Sequence, residues 1–279
     1  HGGRRRMMRT KVCLVLTAPT LKEDLALVEL YRQWIDIAEL RVDCLCHEDR
    51  LEFRTFPEQA NIPCVLTVRR KADGGQYLEG EGARTALLAR GLAFADIDPR
   101  KNFAYIDLEE DLQIPSIEEA ARAFGTRIIR SVHNMSGPEP NLLERVRKLR
   151  RTKDEIAKIA FMPRNLSDVT RLFREAKSCA AEEFILIAMG QYGLPSRILA
   201  PLVGSSICYA SSDEAIRTAD NPLGHLDPIT LNEVYNIRNI HEGTRVFGVT
   251  GSPLAATSSP LIHNRGYRAR NLDAVYIPI

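Results

Sequence analysis

Apolar residues in this chain fall into short runs of five to seven positions, at 11–17, 37–43, 63–69, 103–108, 128–133, 156–160, 183–189 and 206–210. Longer stretches between them, such as 21–34, 80–94, 141–151 and 165–178, alternate apolar and polar positions at helical spacing. Short, nearly continuous apolar runs bounded by helical stretches read as strands of a parallel sheet buried on both faces. Eight strand-then-helix units over residues 11–240 predict an α/β fold, a (β/α)8 TIM barrel, better than an open doubly wound sheet. No G-x-G-x-x-G turn follows the first run, as a dinucleotide-binding fold would require. Residues 1–10 predict a disordered tail or tag remnant, and 241–279 a separate short β-α-β fragment.

A barrel places its chemistry on inward-facing residues at the C-terminal ends of the strands. Alternation along each run sorts those residues. Glu39, Arg41 and Asp43 share a face in the second run, and Thr67 and Arg69 in the third. Tyr105, Asp107 and Glu109 share one in the fourth, Ser131 and His133 in the fifth, and Ile156, Lys158 and Ala160 in the sixth; Ile187 and Met189 share one in the seventh. Packing alone would fill these places with Val, Ile and Leu. Groups of both charges converging on one mouth point instead to a reaction.

Lys158 and His133 carry most of the inference. Burial disfavours an ammonium and lowers its pKa, and the free amine so released can attack a ketone to form a Schiff base. A histidine one strand away can move the proton that the Schiff base makes acidic. After the seventh run, the segment 189–197 leads into a helix with Arg197 in its first turn, where its forked guanidinium can grip a carboxylate. After the third, 69–75 is a loop whose Asp73 can reach His133 and whose Gly74-Gly75 suggests a mobile lid.

Composition narrows the class. Hydrophobic residues make up 44 % of the 279 and charged residues 27 %, with a net charge of +2, so a nucleic-acid-binding role is disfavoured. The basic cluster Arg145, Arg147, Lys148, Arg150 and Arg151 reads as a solvated helix face. No apolar stretch approaches the roughly 20 residues that span a bilayer, and no secretion signal opens the chain. The six cysteines lack zinc spacing and fall mostly in strand-like runs, which predicts reduced, structural thiols in a cytoplasmic protein.

Six motifs then appear in register: Glu-Leu-Arg-Val-Asp at 39–43, Thr-Val-Arg at 67–69, Asp-Gly-Gly at 73–75, Ser-Val-His at 131–133, Ala-Lys-Ile-Ala-Phe-Met-Pro at 157–163, and Met-Gly followed by Ser-Arg at 189–197. Together they resemble type I 3-dehydroquinate dehydratase, the Schiff-base lyase of the shikimate pathway, over roughly residues 11–240. The resemblance implies 3-dehydroquinate as substrate, no cofactor or metal, and a homodimer. It also implies Lys158 as Schiff-base lysine, His133 as acid–base group and Asp73 as the carboxylate orienting it, where relatives more often have glutamate. Glu39, Arg41, Arg69, Arg197, Met189 and Tyr209 become substrate contacts. The loop after the eighth run departs from the family's Ser-Ala-Pro-Gly-Gln: Asn221 stands in the serine's place and His225 in the glutamine's. Two other readings are a Schiff-base aldolase on the same barrel and an inactive binding relic.

The tail resembles a second family. Residues 246–253 and 257–264 look like the start of shikimate dehydrogenase, in which hydroxyls matching Thr257 and Ser259 hold the substrate carboxylate. The resemblance implies part of a dehydratase–dehydrogenase fusion, with a truncated second domain that transfers no hydride. It also implies that the strand at 274–279, lacking most of its sheet, is mobile or pairs with another chain's edge.

Overall fold

A computed structural model of the chain describes residues 9–93, 95–179, 182–218, 224–251 and 257–279. Eight parallel strands form a nearly closed barrel, in spatial order 7-6-5-4-3-2-1-8. They are β1 Lys11–Leu16, β2 Ile37–Arg41, β3 Cys64–Thr67, β4 Tyr105–Glu109, β5 Arg127–Asn134, β6 Ile156–Phe161, β7 Phe184–Ala188 and β8 Ile207–Ser211. The expected (β/α)8 architecture is therefore present, with strand bounds within two residues of the apolar runs. Helices cover the outside: α1 Leu21–Tyr31, α2 Phe56–Ala60, α3 Glu81–Leu92, α4 Pro115–Ala123, α5 Leu142–Leu149, α6 Leu166–Ala176, α7 Leu194–Ile198, α8 Ala200–Val203 and α9 Asp213–Thr218. Their starts follow from local chemistry. Thr20 accepts from Glu23 N at 3.3 Å ahead of α1, and Asn165 accepts from Ser167 N at 2.9 Å ahead of α6, satisfying amides that a helix start leaves open.

Alternation divides each strand between two cores. Outward residues such as Leu14, Leu40, Leu66, Ile106 and Ile159 pack beneath the helices. Inward residues Cys13, Val15, Ile37, Val65, Tyr105, Ile129, Ile156, Ile185, Ile207 and Tyr209 fill the barrel. The polar inward residues are the next ones along the same faces, so they crown this apolar plug at the C-terminal mouth.

Seven of the eight junctions in the ring are backbone ladders. The junction of β7 with β8 is closed differently. One backbone bond, Ser206 N to Phe184 O at 2.9 Å, crosses it. Beyond that, the Ser205 hydroxyl accepts from Leu186 N at 3.0 Å and donates to Leu186 O at 3.2 Å. The Ser196 hydroxyl accepts from Ala188 N at 3.0 Å.

The tail forms β9 Arg245–Val249, α10 Ser259–Ala269 and β10 Ala274–Pro278. The expectation for its last strand is corrected. β10 pairs in parallel with β9, Ala274 opposite Arg245 through Pro278 opposite Val249. Val275 and Ile277 bury against Ile198 and Leu199 of the barrel, with Tyr235 and Ile240. An apolar face on each side explains why the strand docks within its own chain. The basic cluster also departs from a simple solvated face: Arg145 binds Glu110 at 2.5 Å and Glu139 at 3.2 Å, and Arg151 binds Glu118. No helix among the described residues is long and apolar enough to cross a membrane.

Candidate active site

A cleft at the C-terminal mouth is lined by Glu39, Arg41, Arg69, Asp73, His133, Lys158, Met189, Arg197, Tyr209 and His225, with Val15, Gly74, Ala160 and Ile187. Ten of the candidate residues thus meet in one cavity. Asn221 lies outside the described residues. Thr257 and Ser259 lie away from the cleft at the start of α10, where the Thr257 hydroxyl accepts from Ser259 N at 3.2 Å.

The register of β5 and β6 sets the chemistry. Ser131 stands opposite Lys158 and His133 opposite Ala160, so lysine and histidine share a wall one inward step apart. Lys158 is 5 % exposed. Its amine donates to Asp107 Oδ2 at 2.9 Å, lies 3.7 Å from Glu39 Oε1 and sits 4.1 Å over the centre of the Tyr209 ring. Ring face, two carboxylates and burial leave the amine one open side, the cleft.

Behind it runs a chain of charges formed by these inward residues and Arg84 of α3. Asp107 also binds Arg69 NH2 at 2.8 Å and accepts from the Ser131 hydroxyl at 2.5 Å. Arg69 NH1 donates to Glu109 Oε1 at 2.6 Å. Glu109 Oε2 accepts at 2.9 Å from both NH1 and NH2 of Arg84, a fully buried residue of α3. Burial alone would raise the Asp107 carboxyl, but Arg69 and Lys158 hold it below the usual carboxylate range. The periodicity of β4 placed Asp107 and Glu109 on the inner face. Their roles depend on partners from β3, β6 and α3, which spacing does not reveal.

His133 is half-buried, and its Nδ1 is shielded without a hydrogen-bond partner among the described residues. Burial, then Arg69 and Lys158, push its pKa well below the usual histidine value. The ring is therefore a neutral base at neutral pH. Asp73 does not bond it here: its Oδ2 accepts from Arg70 Nε at 2.6 Å. The Gly74-Gly75 turn has a steric basis. Gly74 has φ +82°, and a Cβ on Gly75 would sit 2.2 Å from Arg69 O. The pair satisfies a tight turn.

Arg197 is 4 % exposed, its NH1 is 3.5 Å from Tyr209 O, and burial pulls its pKa down to about 10. It occupies the last turn of the five-residue α7, not the first turn expected. His225 reaches the cleft and bonds Ser211 through Nδ1; burial, then Arg197, Arg41 and Lys158, lower its pKa well below normal. Gly224 has φ +66°, and an added Cβ would meet Gly190 O at 2.4 Å, so glycine lets the loop after β8 press on the loop after β7. Among the described residues no group of three or more His, Cys, Asp or Glu side chains is arranged to hold a metal ion.

Residues 12–242 match the family described as type I 3-dehydroquinase. The bifunctional 3-dehydroquinate dehydratase/shikimate dehydrogenase of Arabidopsis thaliana is 29 % identical over 248 residues; the alignment spans 87 % of this chain but 39 % of that protein. The 3-dehydroquinate dehydratase of Methanothermobacter thermautotrophicus is 29 % identical over 208 residues, 73 % of this chain and 88 % of that one. Among solved structures, the type I 3-dehydroquinate dehydratase of Clostridium difficile superposes with a TM-score of 0.68 at 23 % identity, covering 82 % of this chain and 92 % of that one. The dehydroquinate dehydratase and shikimate dehydrogenase structure from S. pombe gives a TM-score of 0.66 at 21 % identity, covering 98 % of this chain and 52 % of that one. Profile, relatives and barrel agree: the chain belongs to the type I 3-dehydroquinase family, the shikimate-pathway lyases that convert 3-dehydroquinate to 3-dehydroshikimate through a lysine Schiff base.

Proposed function

We propose that this cleft dehydrates 3-dehydroquinate with Lys158 as the Schiff-base nucleophile and His133 as the proton carrier. The observation that carries the proposal is the paired register of β5 and β6, which sets a buried amine and a neutral imidazole on one wall of one cleft. The Lys158 amine adds to the ketone and water leaves, giving an iminium. The iminium makes the adjacent C–H acidic by drawing its electron pair inward. His133 takes that proton, and the enamine expels the neighbouring hydroxyl as water with the proton His133 now holds. Water then hydrolyses the imine and frees the lysine. Incubating the protein with 3-dehydroquinate and following the ultraviolet absorbance of the enone product tests the proposal. Absence of turnover in folded protein would refute it.

Arg197 and Arg69 supply charge for the substrate carboxylate and hydroxyls, and Glu39, Arg41, Met189 and Tyr209 complete the walls. In the closed state Asp73 exchanges Arg70 for the open Nδ1 of His133. Arg197→Ala is expected to weaken transition-state binding by about 1.5–3 kcal/mol, the range for one charged hydrogen-bonded contact. The loss should appear chiefly in KM, and Arg197→Lys should recover only part of it because the fork is lost. Steady-state kinetics of both variants, unchanged from wild type, would remove Arg197 from the site.

His225 takes the place of the glutamine named above, and Asn221 that of the serine. His225→Gln is expected to lower KM, since glutamine reaches further and does not titrate. A higher KM would show that His225 has a role of its own with Ser211.

We further infer that residues 241–279 are a shikimate-dehydrogenase-like unit distinct from the barrel, with Thr257 and Ser259 as its carboxylate contacts. Support comes from the parallel β9–α10–β10 unit and from the reach of the S. pombe superposition across 98 % of this chain. A homodimer and a cytoplasmic location stay part of the proposal; sedimentation velocity tests the first.

A further inference from the structure

Asp43 lies outside the cleft, at the end of the second inward row. Its side chain is completely buried. Each carboxylate oxygen accepts from one nitrogen of Arg41 and one backbone amide of the loop after β3. Oδ1 accepts from Arg41 Nε at 2.9 Å and from Arg69 N at 3.1 Å. Oδ2 accepts from Arg41 NH2 at 2.6 Å and from Gln76 N at 3.0 Å. Arg41, Asp73 and Gly74 line the cleft, the last two on the loop between those amides.

We propose that Asp43 is a positioning residue that locks the Arg41 guanidinium and the 69–76 loop to each other, so that two walls of the cleft move as one. Because each oxygen is shared between Arg41 and a loop amide, a shift of the carboxylate that follows one partner lengthens its bonds to the other. The Arg41 fork is engaged through Nε and NH2, while NH1 has no partner among the described residues and is left for the cleft. The loop is closed on itself at the same point: Tyr77 N donates to Arg69 O at 3.1 Å and Gly75 N to Arg70 O at 2.9 Å. A carboxylate holding the base of this hairpin therefore sets where Asp73 stands. The burial of Asp43 alone would raise its pKa, but Arg41 and the two amides keep it lowered, so the lock stays charged. The kinetic part of this inference rests on the dehydratase reading of the cleft; the structural part does not.

Asp43→Asn separates the possibilities. An amide keeps one acceptor oxygen and turns an NH2 toward donors on the other side, so whichever way it lies, one Arg41 nitrogen and one loop amide lose their acceptor. The variant is expected to lower kcat/KM by about 10–100-fold, mostly through KM, as loss of charged hydrogen bonds does. Borohydride should still trap substrate on Lys158 at saturating concentration, which a collapsed site would not allow. In an Arg41→Ala background the same substitution should cost no more than about threefold further, because the two residues act as one unit. Limited trypsin cleavage after the exposed Lys71 should be faster in Asp43→Asn than in wild type. Effects of Arg41→Ala and Asp43→Asn that multiply, or an unchanged cleavage rate, would overturn the proposal. If Asp43→Asn does not fold by circular dichroism, Gln76→Pro deletes a single donor at an exposed position. It should speed cleavage and raise KM, and wild-type behaviour would count against the lock. An inactive wild type with faster cleavage of Asp43→Asn would sink the dehydratase reading while leaving the lock standing.

Discussion

Lys158→Ala is expected to end covalent capture and to reduce dehydration on the order of 10⁴-fold or more, the scale on which removing a covalent nucleophile acts. Among the described residues lining the cleft, Lys158 is the only lysine, and no other can form an imine with a ketone. The fold should survive because no acid is stranded. Asp107 keeps Arg69 at 2.8 Å and the Ser131 hydroxyl at 2.5 Å, and Glu39 keeps the Thr67 hydroxyl at 2.9 Å. Lys158→Met, which retains most of the stem, controls for the space left behind. Borohydride added with 3-dehydroquinate should give one reduced adduct per wild-type chain, on the peptide holding Lys158, and none in either variant. An adduct on a different lysine, or one that persists in Lys158→Ala, would end the mechanism proposed here.

His133→Ala should separate imine formation from turnover. The adduct on Lys158 should still form, while kcat falls by roughly 10²–10⁴-fold, the usual contribution of a positioned acid–base group. The pH behaviour follows from the electrostatics. Burial, Arg69, Lys158 and Arg41 lower the His133 pKa, and Asp107 opposes them. The imidazole stays neutral to below about pH 6.5, the ordinary value. The acid limb of kcat/KM should therefore lie below that pH, and His133→Ala should abolish it. Stability carries the same sign. The unfolded chain binds a proton at His133 more readily than the folded one, so this contribution is full above about pH 6.5 and declines as pH falls toward the folded value. Urea midpoints measured between neutral and mildly acidic pH should drop less in His133→Ala than in wild type. Equal slopes would mean that His133 is not held neutral by the fold.

The barrel was legible because its signal is local. Each strand announces itself by a short apolar run, and inward and outward residues separate by parity alone. Lys158 and His133 stood out for the same reason, as groups that are costly on a buried face. What stayed hidden was pairing across strands. Arg84 reads as an ordinary helix residue, yet it is buried against Glu109 from β4. Asp73 reads as a partner for His133, yet Arg70, three residues away, holds it in this conformation. Asp43 closes a motif as if it were a third substrate contact, yet it faces Arg41 and the loop amides. Which neighbour an ion pair selects depends on register and side-chain reach, and these are fixed only once the sheet has closed. The tail shows the same limit from the apolar side: the 274–278 strand has a clear pattern, but its cover comes from α7 and α8, some seventy residues earlier.

The seam between β7 and β8 gives the barrel an unusual kind of heredity. Ladders between main chains do not depend on which side chains a strand carries, so ordinary substitution cannot erase them. At this one place, closure is written in the side chains of Ser205 and Ser196, which stand in for a missing neighbour along Leu186 and Ala188. Replacement of either serine by alanine would remove a donor and an acceptor that the main chain cannot replace. The ring is thus open to point mutation at one joint, and that joint lies beside the helix that presents Arg197.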